Sequence, residues 1–127
     1  MEETKFRAFH LRRRRMLAVV EMDLSCGEIS GRWLDGSMED TGKLPIEACD
    51  LMRSTGMLDM KGTEIYEGDI VDDTHGRIGI FQSSLTVKWD EKEDSLGLVD
   101  AKGKRIPWKT HLQEVIGNVY QKRFYRP

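Results

Sequence analysis

Cysteine is scarce in this chain: two in 127 residues, Cys26 and Cys49, in no CxxC step and beside no paired histidine. That argues against a disulfide-stapled secreted framework and against the usual zinc spacings. Two reduced thiols are the expected state, with a Cys26–Cys49 disulfide as the alternative. Long apolar runs are missing too. The longest, Met16 to Val20, is far too short to span a bilayer. The opening Met1-Glu2-Glu3-Thr4-Lys5 lacks the charged-then-apolar layout of a signal peptide. A cytoplasmic protein with no membrane partner is expected. Charge of one sign does not dominate: 20 Lys and Arg stand against 22 Asp and Glu, a formal net charge of −2. No global basicity points at nucleic acid, though a local patch stays open.

Catalytic signatures are equally sparse. The three histidines, His10, His75 and His111, are scattered, and no Ser or Cys sits in a strand-turn-helix elbow beside them. Gly76-Arg77-Ile78-Gly79 lacks the Lys-Ser/Thr end of a phosphate-cradling loop. No internal repeat or low-complexity tract is present.

What the chain does have is the composition of a folded domain: 39% hydrophobic and 33% charged residues, with 12 glycines. That suits a real core beneath a heavily solvated surface. Residues 5–22 predict a hairpin, with Arg12-Arg13-Arg14-Arg15 between its two runs. Four adjacent cations cannot all be buried, so they belong to an exposed turn or strand end. Residues 25–44 are broken by Gly31, Gly36 and Gly42, leaving room for one strand around Ile29, Trp33 and Leu34. Pro45 to Ser54 fits a helix start at Pro45 with a stripe of Ile46, Cys49, Leu51 and Met52. It equally fits a strand entering a turn at Thr55-Gly56.

Further on the punctuation is clear. Turns are expected at Asp59–Gly62, Gly68-Asp69 and His75-Gly76, with extended pieces at Glu64–Glu67, from Ile70, and at Arg77–Phe81. Leu85-Thr86-Val87-Lys88-Trp89 alternates as a half-buried strand should. Asp90 to Asp94 predicts an acidic loop, Leu98 to Lys104 a connection, and Ile106 to Trp108 a short strand. Glu114 to Tyr120 closes the β pattern, ahead of a basic-aromatic tail over 121–127. Many short strands at about ten-residue spacing favour a small barrel or sandwich. Trp33, Trp89 and Trp108 are expected as core or groove aromatics.

The central stretch, Leu51-Met52-Arg53-Ser54-Thr55-Gly56-Met57-Leu58-Asp59-Met60-Lys61-Gly62-Thr63-Glu64-Ile65-Tyr66-Glu67-Gly68-Asp69-Ile70-Val71, closely resembles the signature of the YopX family of phage and prophage proteins. That signature runs L-M-Q-x-T-G-L-x-D-x-x-G-x-E-I-Y-E-G-D-I-V. Val115-Ile116-Gly117-Asn118-Val119-Tyr120 is similar to the family's V-I-G-N-I-Y ending. Lys5-Phe6-Arg7-Ala8-Phe9 with Met16-Leu17 is similar to its K-F-R-A-W…M opening. Arg53, Met57 and Phe9 depart from the usual Gln, Leu and Trp, and residues 89–110 match no part of it. The resemblance implies a single domain over residues 1–127, mainly β, with a small SH3-like barrel over 51–120, additional hairpins and at most short helices. It implies no established activity.

The motif also reads as turn chemistry. Gly62 and Gly68 fall where tight reversals need positive φ or close backbone approach, and Asp59 and Asp69 can accept backbone N–H groups within their own turns. That absorbs the acids which, with Glu64 and Glu67, would otherwise suggest hydrolytic carboxylates. Asp72, Asp73 and His75 offer a mixed ligand set in one polar turn, better explained as a solvated loop. No catalytic, cofactor or metal site is therefore expected. The most suggestive surface is cationic: Arg12, Arg13, Arg14 and Arg15, together with Lys122, Arg123, Tyr125, Arg126 and the intervening Phe124, supply charges and stackable rings suited to nucleic acid. The leading expectation is a non-enzymatic module that binds a protein partner or itself. An accessory nucleic-acid-binding protein is the alternative.

Overall fold

The computed structural model describes residues 5–72 and 84–121, and every statement below concerns these. Its contacts divide the chain after Ser54 into two compact units.

In the first unit the expected hairpin forms. Strand β1 (Phe6–His10) runs antiparallel to β2 (Arg15–Asp23), with Ala8 opposite Leu17. β2 continues into β3 (Glu28–Trp33), and β3 borders the two-residue β4 (Leu44–Pro45). On the other side β1 pairs with β5 (Cys49–Leu58), where Ala8 faces Leu51 and His10 faces Cys49. The core is built from one face of these strands: Ala8, Leu17, Ile29, Trp33 and Leu44, with Val19, Met22 and Leu51 packed against them. Leu17, Val19 and Met22 are spaced two and then three apart, which plain strand alternation would not put on one face. A bulge between Val19 and Glu21 supplies the extra residue, and Val20 is left exposed.

The ambiguous stretch 45–54 resolves as a strand preceded by one 3-10 turn, Ile46–Ala48. It does not stop at the turn expected at Thr55-Gly56. Instead β5 runs on into the second unit as far as Leu58, with β6 (Glu64–Tyr66) as its neighbour there. Gly56 takes positive φ within the strand, and the Thr55 hydroxyl donates to the Ile65 carbonyl at 2.7 Å. The apparent breaker is thus absorbed by a side-chain bond to the adjoining strand.

The second unit also holds a five-stranded antiparallel sheet. Its order is β10 (Arg105–Ile106), β9 (Ser95–Val99), β8 (Ser84–Asp90), β7 (Asp69–Asp72) and β11 (Glu114–Asn118). Ile65, Val71, Leu85, Val87 and Leu98 form its core, joined by Met57, Leu96 and Trp108. The region 89–110 therefore contains a strand where a connection was expected at Leu98: β9 pairs with β8 from Asp90–Ser95 to Thr86–Val99. The fold class is mainly β, with two short 3-10 turns, and the described residues close no barrel. The expected piece at Arg77–Phe81 and the turn at His75-Gly76 lie outside the described residues. Among those described, no helix is long and apolar enough to cross a membrane.

Candidate binding surface

The acids of the family-like motif are the nearest thing to a catalytic set in the sequence. Asp59 is buried, and its carboxylate is occupied by backbone. Oδ1 accepts the N–H groups of Lys61 and Thr63 at 2.9 and 2.8 Å, and Oδ2 accepts that of Val115 at 2.8 Å. Burial pushes its pKa up, but the N–H groups of Val115, Thr63, Lys61 and Gly62 outweigh burial and hold the carboxyl below its ordinary value. Asp69 is likewise buried and accepts the Tyr66 N–H at 2.7 Å. Gly62 and Gly68 have φ of 84° and 87°, the left-handed conformation that costs glycine least. Gly68 donates its N–H to the Val87 carbonyl at 2.8 Å and accepts that of Val119 at 2.9 Å. The central motif is thus stitched to the C-terminal Val-Ile-Gly-Asn-Val-Tyr segment by the Asp59 carboxylate at Val115 and by the Gly68 carbonyl at Val119.

The ending closes with a reciprocal cap. Asn118 Oδ1 accepts the Tyr120 N–H, and Gln121 Oε1 accepts the Asn118 N–H, both at 2.9 Å. Buried Gln113 accepts the Lys109 N–H at 2.9 Å on Oε1. Nothing in composition flagged Gln113; its burial is visible only in the fold. Asp72 ends β7, while Asp73 and His75 lie outside the described residues. No group of three His, Cys, Asp or Glu able to hold a metal ion occurs among those described. Cys26 is exposed, Cys49 is half-buried, and both thiols are free. Burial pushes the Cys49 thiol up.

The arginine run sits at the β1–β2 tip. Leu11 to Arg14 form the turn and Arg15 opens β2, so Arg12, Arg13 and Arg14 are exposed and Arg15 is half-buried. His10 organises the turn: its Nδ1 accepts the Arg13 N–H at 3.1 Å and its carbonyl accepts the Arg14 N–H at 2.8 Å. Since Nδ1 accepts, the ring proton sits on Nε2. Arg14 adopts a φ of 54° to close the reversal.

The guanidiniums are held against rings. Arg15 lies 4.0 Å over Trp33 and Arg13 5.8 Å over the same ring, while Arg14 lies 5.8 Å over Phe9. Trp33 and Phe9 are themselves buried, and the His10 ring meets Trp33 edge-on at 6.4 Å. Arg15 Nε also donates to Asp35 Oδ2 at 2.6 Å. The Arg15 hydrogen bond, helped by the Ser37 hydroxyl, lowers the Asp35 carboxyl to about 2. Beside the tip an open cleft of about 440 Å³ is lined by His10, Arg12, Arg13, Pro45 and Ala48, and its wall is almost wholly apolar. Arg15 therefore serves Trp33 and Asp35, whereas Arg12, Arg13 and Arg14 stay exposed at the tip. The other expected contact residues, Lys122, Arg123, Tyr125 and Arg126, lie outside the described residues.

No curated protein matches this sequence. Among solved structures it is similar to a protein of Enterococcus faecalis described as "Crystal structure of protein EF1440 from Enterococcus faecalis". The TM-score is 0.67 at 19% identity, covering 97% of each chain, a likeness of fold. The profile of the family described as "YopX protein" matches residues 5–123, nearly the whole length. The chain belongs to the YopX family.

Proposed function

We propose that this protein is a non-enzymatic binding module of phage or prophage origin. It works in the cytoplasm by engaging a protein partner, or its own copies, through the β1–β2 tip. One observation carries the reading: Arg13, Arg14 and Arg15 lie against buried rings while Arg13 and Arg14 remain exposed at the tip. Arginine and aromatic groups dominate binding energy at protein interfaces, and side chains already ordered lose less entropy on docking. The cleft beside Arg12 and Arg13 adds an apolar seat next to the cations.

The strand order of the second unit supports an SH3-like reading of that part. In the five-stranded sheet the first strand, β7, lies between the second and the last, and a 3-10 turn, Thr110–Leu112, precedes the last strand. Such a fold hosts many unrelated activities, so it supplies no function of its own.

A second reading rests on the same tip. Four adjacent arginines, with three guanidiniums stacked on rings, suit single-stranded nucleic acid. Two experiments on the whole chain and its Arg12→Ala/Arg13→Ala variant separate the readings. Labelled single- and double-stranded DNA and RNA are titrated at about 50 mM and about 200 mM salt. In parallel, proteins co-purifying from the phage-carrying cell are quantified. The protein-binding reading expects no nucleic-acid uptake at low salt and a protein enriched by the wild type but lost with the variant. Nucleic-acid binding that weakens with salt and falls in the variant makes the second reading correct. A variant indistinguishable from wild type in both experiments removes the tip from either role.

A further inference from the structure

We propose that the β1–β2 tip and its cleft receive a second copy of this chain, at the acidic tip of the β8–β9 hairpin. The inference deepens the binding reading above and rests on it.

Each hairpin ends in a four-residue turn, Leu11–Arg14 in one case and Glu91–Asp94 in the other. In both, the residue before the turn accepts turn N–H groups through its side chain. His10 Nδ1 accepts that of Arg13, and Asp90 Oδ1 accepts those of Lys92 and Glu93 at 2.9 and 3.3 Å. In both, the fourth turn residue has positive φ, 54° at Arg14 and 52° at Asp94. The two tips share a backbone design and carry opposite charge: Arg12, Arg13 and Arg14 against Glu91, Glu93 and Asp94, all exposed. Lys92 is the one cation on the acidic side.

The cationic surface therefore has a complement of opposite charge and equal turn length in every other copy. Asp90 is ion-paired with Arg105, which anchors the base of the acidic turn, while Glu91, Glu93 and Asp94 stay exposed. The cleft bounded by Arg12, Arg13, Pro45 and Ala48 gives the incoming turn an apolar seat, where partial exclusion of water strengthens the ion pairs. Nucleic acid is the less favoured occupant, because a net charge of −2 adds no general attraction for a long polyanion beyond the tip itself. A short acidic turn presents only a few charges. The two surfaces differ, so the contact is head-to-tail, and successive copies either close a ring or extend.

Sedimentation of the full chain from micromolar to millimolar concentration tests this. At low ionic strength the average mass rises with concentration. Near 1 M salt, where the screening length is about 3 Å, it returns to that of a monomer. Arg12→Glu/Arg13→Glu and Glu91→Arg/Glu93→Arg each weaken self-association at least about tenfold. Combining all four substitutions in one chain leaves the net charge unchanged and restores it. Circular dichroism checks that each variant is folded. A wild type monomeric throughout at low salt, or a fourfold reversal that does not recover association, overturns the proposal. If the wild type is monomeric yet its tip variant loses a protein or nucleic-acid ligand, self-recognition fails and the binding reading stands. If no ligand is lost either, both fail.

Discussion

Asp59 accepts the backbone N–H of Val115 at 2.8 Å across 56 positions of sequence, tying the centre of the chain to the first residue of its Val-Ile-Gly-Asn-Val-Tyr ending. The same carboxylate holds the turn that follows it, through Lys61 and Thr63. One side chain thus closes a local reversal and a long-range one. This is why an acid can be essential to the motif without taking part in bond-making.

Removing that carboxylate is expected to be costly. Asp59→Ala leaves three part-buried backbone N–H groups without their acceptor, a loss of about 2–4 kcal/mol in urea unfolding. Asp59→Asn should not rescue fully, because its amide nitrogen presents donors where a second acceptor is needed. The folded pKa of Asp59 is depressed, so its stabilisation is complete above the unfolded carboxyl value of about 3.9. It is lost as pH falls through the lower folded value. Acid unfolding of the wild type should show this loss, and the Asp59→Ala variant should show a smaller one. Equal acid sensitivity in both would remove Asp59 from that role.

Gly68 is the complementary backbone test. Its φ of 87° disfavours any L side chain, while its N–H and carbonyl are both engaged, with Val87 and Val119. The turn therefore cannot relax without breaking bonds. Gly68→Ala is expected to destabilise by about 1–2 kcal/mol, measured as a shift in denaturation midpoint at unchanged slope.

How much of this was legible in the sequence depends on whether the signal was local. Turn glycines and aspartates announce themselves within four residues, and Asp59, Gly62, Gly68 and Asp69 all take up the turn roles expected of them. The hairpin around the arginines was legible for the same reason. Strand β9 was not, because Gly97 interrupts its apolar alternation. In the fold the Arg105 guanidinium lies over Gly97, so close that an added Cβ would sit 2.9 Å from its Cζ. Nor could the partners of Arg15 be read, since Trp33 and Asp35 lie on and just past another strand. The β-bulge that turns Met22 inward likewise leaves no mark in composition.

The overlooked strand yields its own check. Leu98 is fully buried in the second core and faces Val87 across the β8–β9 pair. Leu98→Ala should cost about 2–5 kcal/mol. Leu58→Ala, at an exposed end of β5, should stay within about 0.5 kcal/mol of wild type. Equal effects at the two positions would place 95–99 outside the core.

Arg15 offers a readout on the tip itself. Its guanidinium covers Trp33 and donates to Asp35, and that bond is the first cause of the low Asp35 pKa of about 2. In Arg15→Ala the Asp35 carboxyl, followed by NMR, should titrate higher, moving toward about 3.9 without reaching it, because the Ser37 hydroxyl still donates. Both groups are substantially exposed, so the change in overall stability should be small. Trp33 emission should shift to the red as water replaces the guanidinium over its ring. Arg15→Lys should restore part of the Asp35 shift through charge but little of the tryptophan signal, since an ammonium lacks the flat face that stacks. If Lys restored both equally, Arg15 would act as a charge alone, and the ring-propped cluster would lose its physical basis.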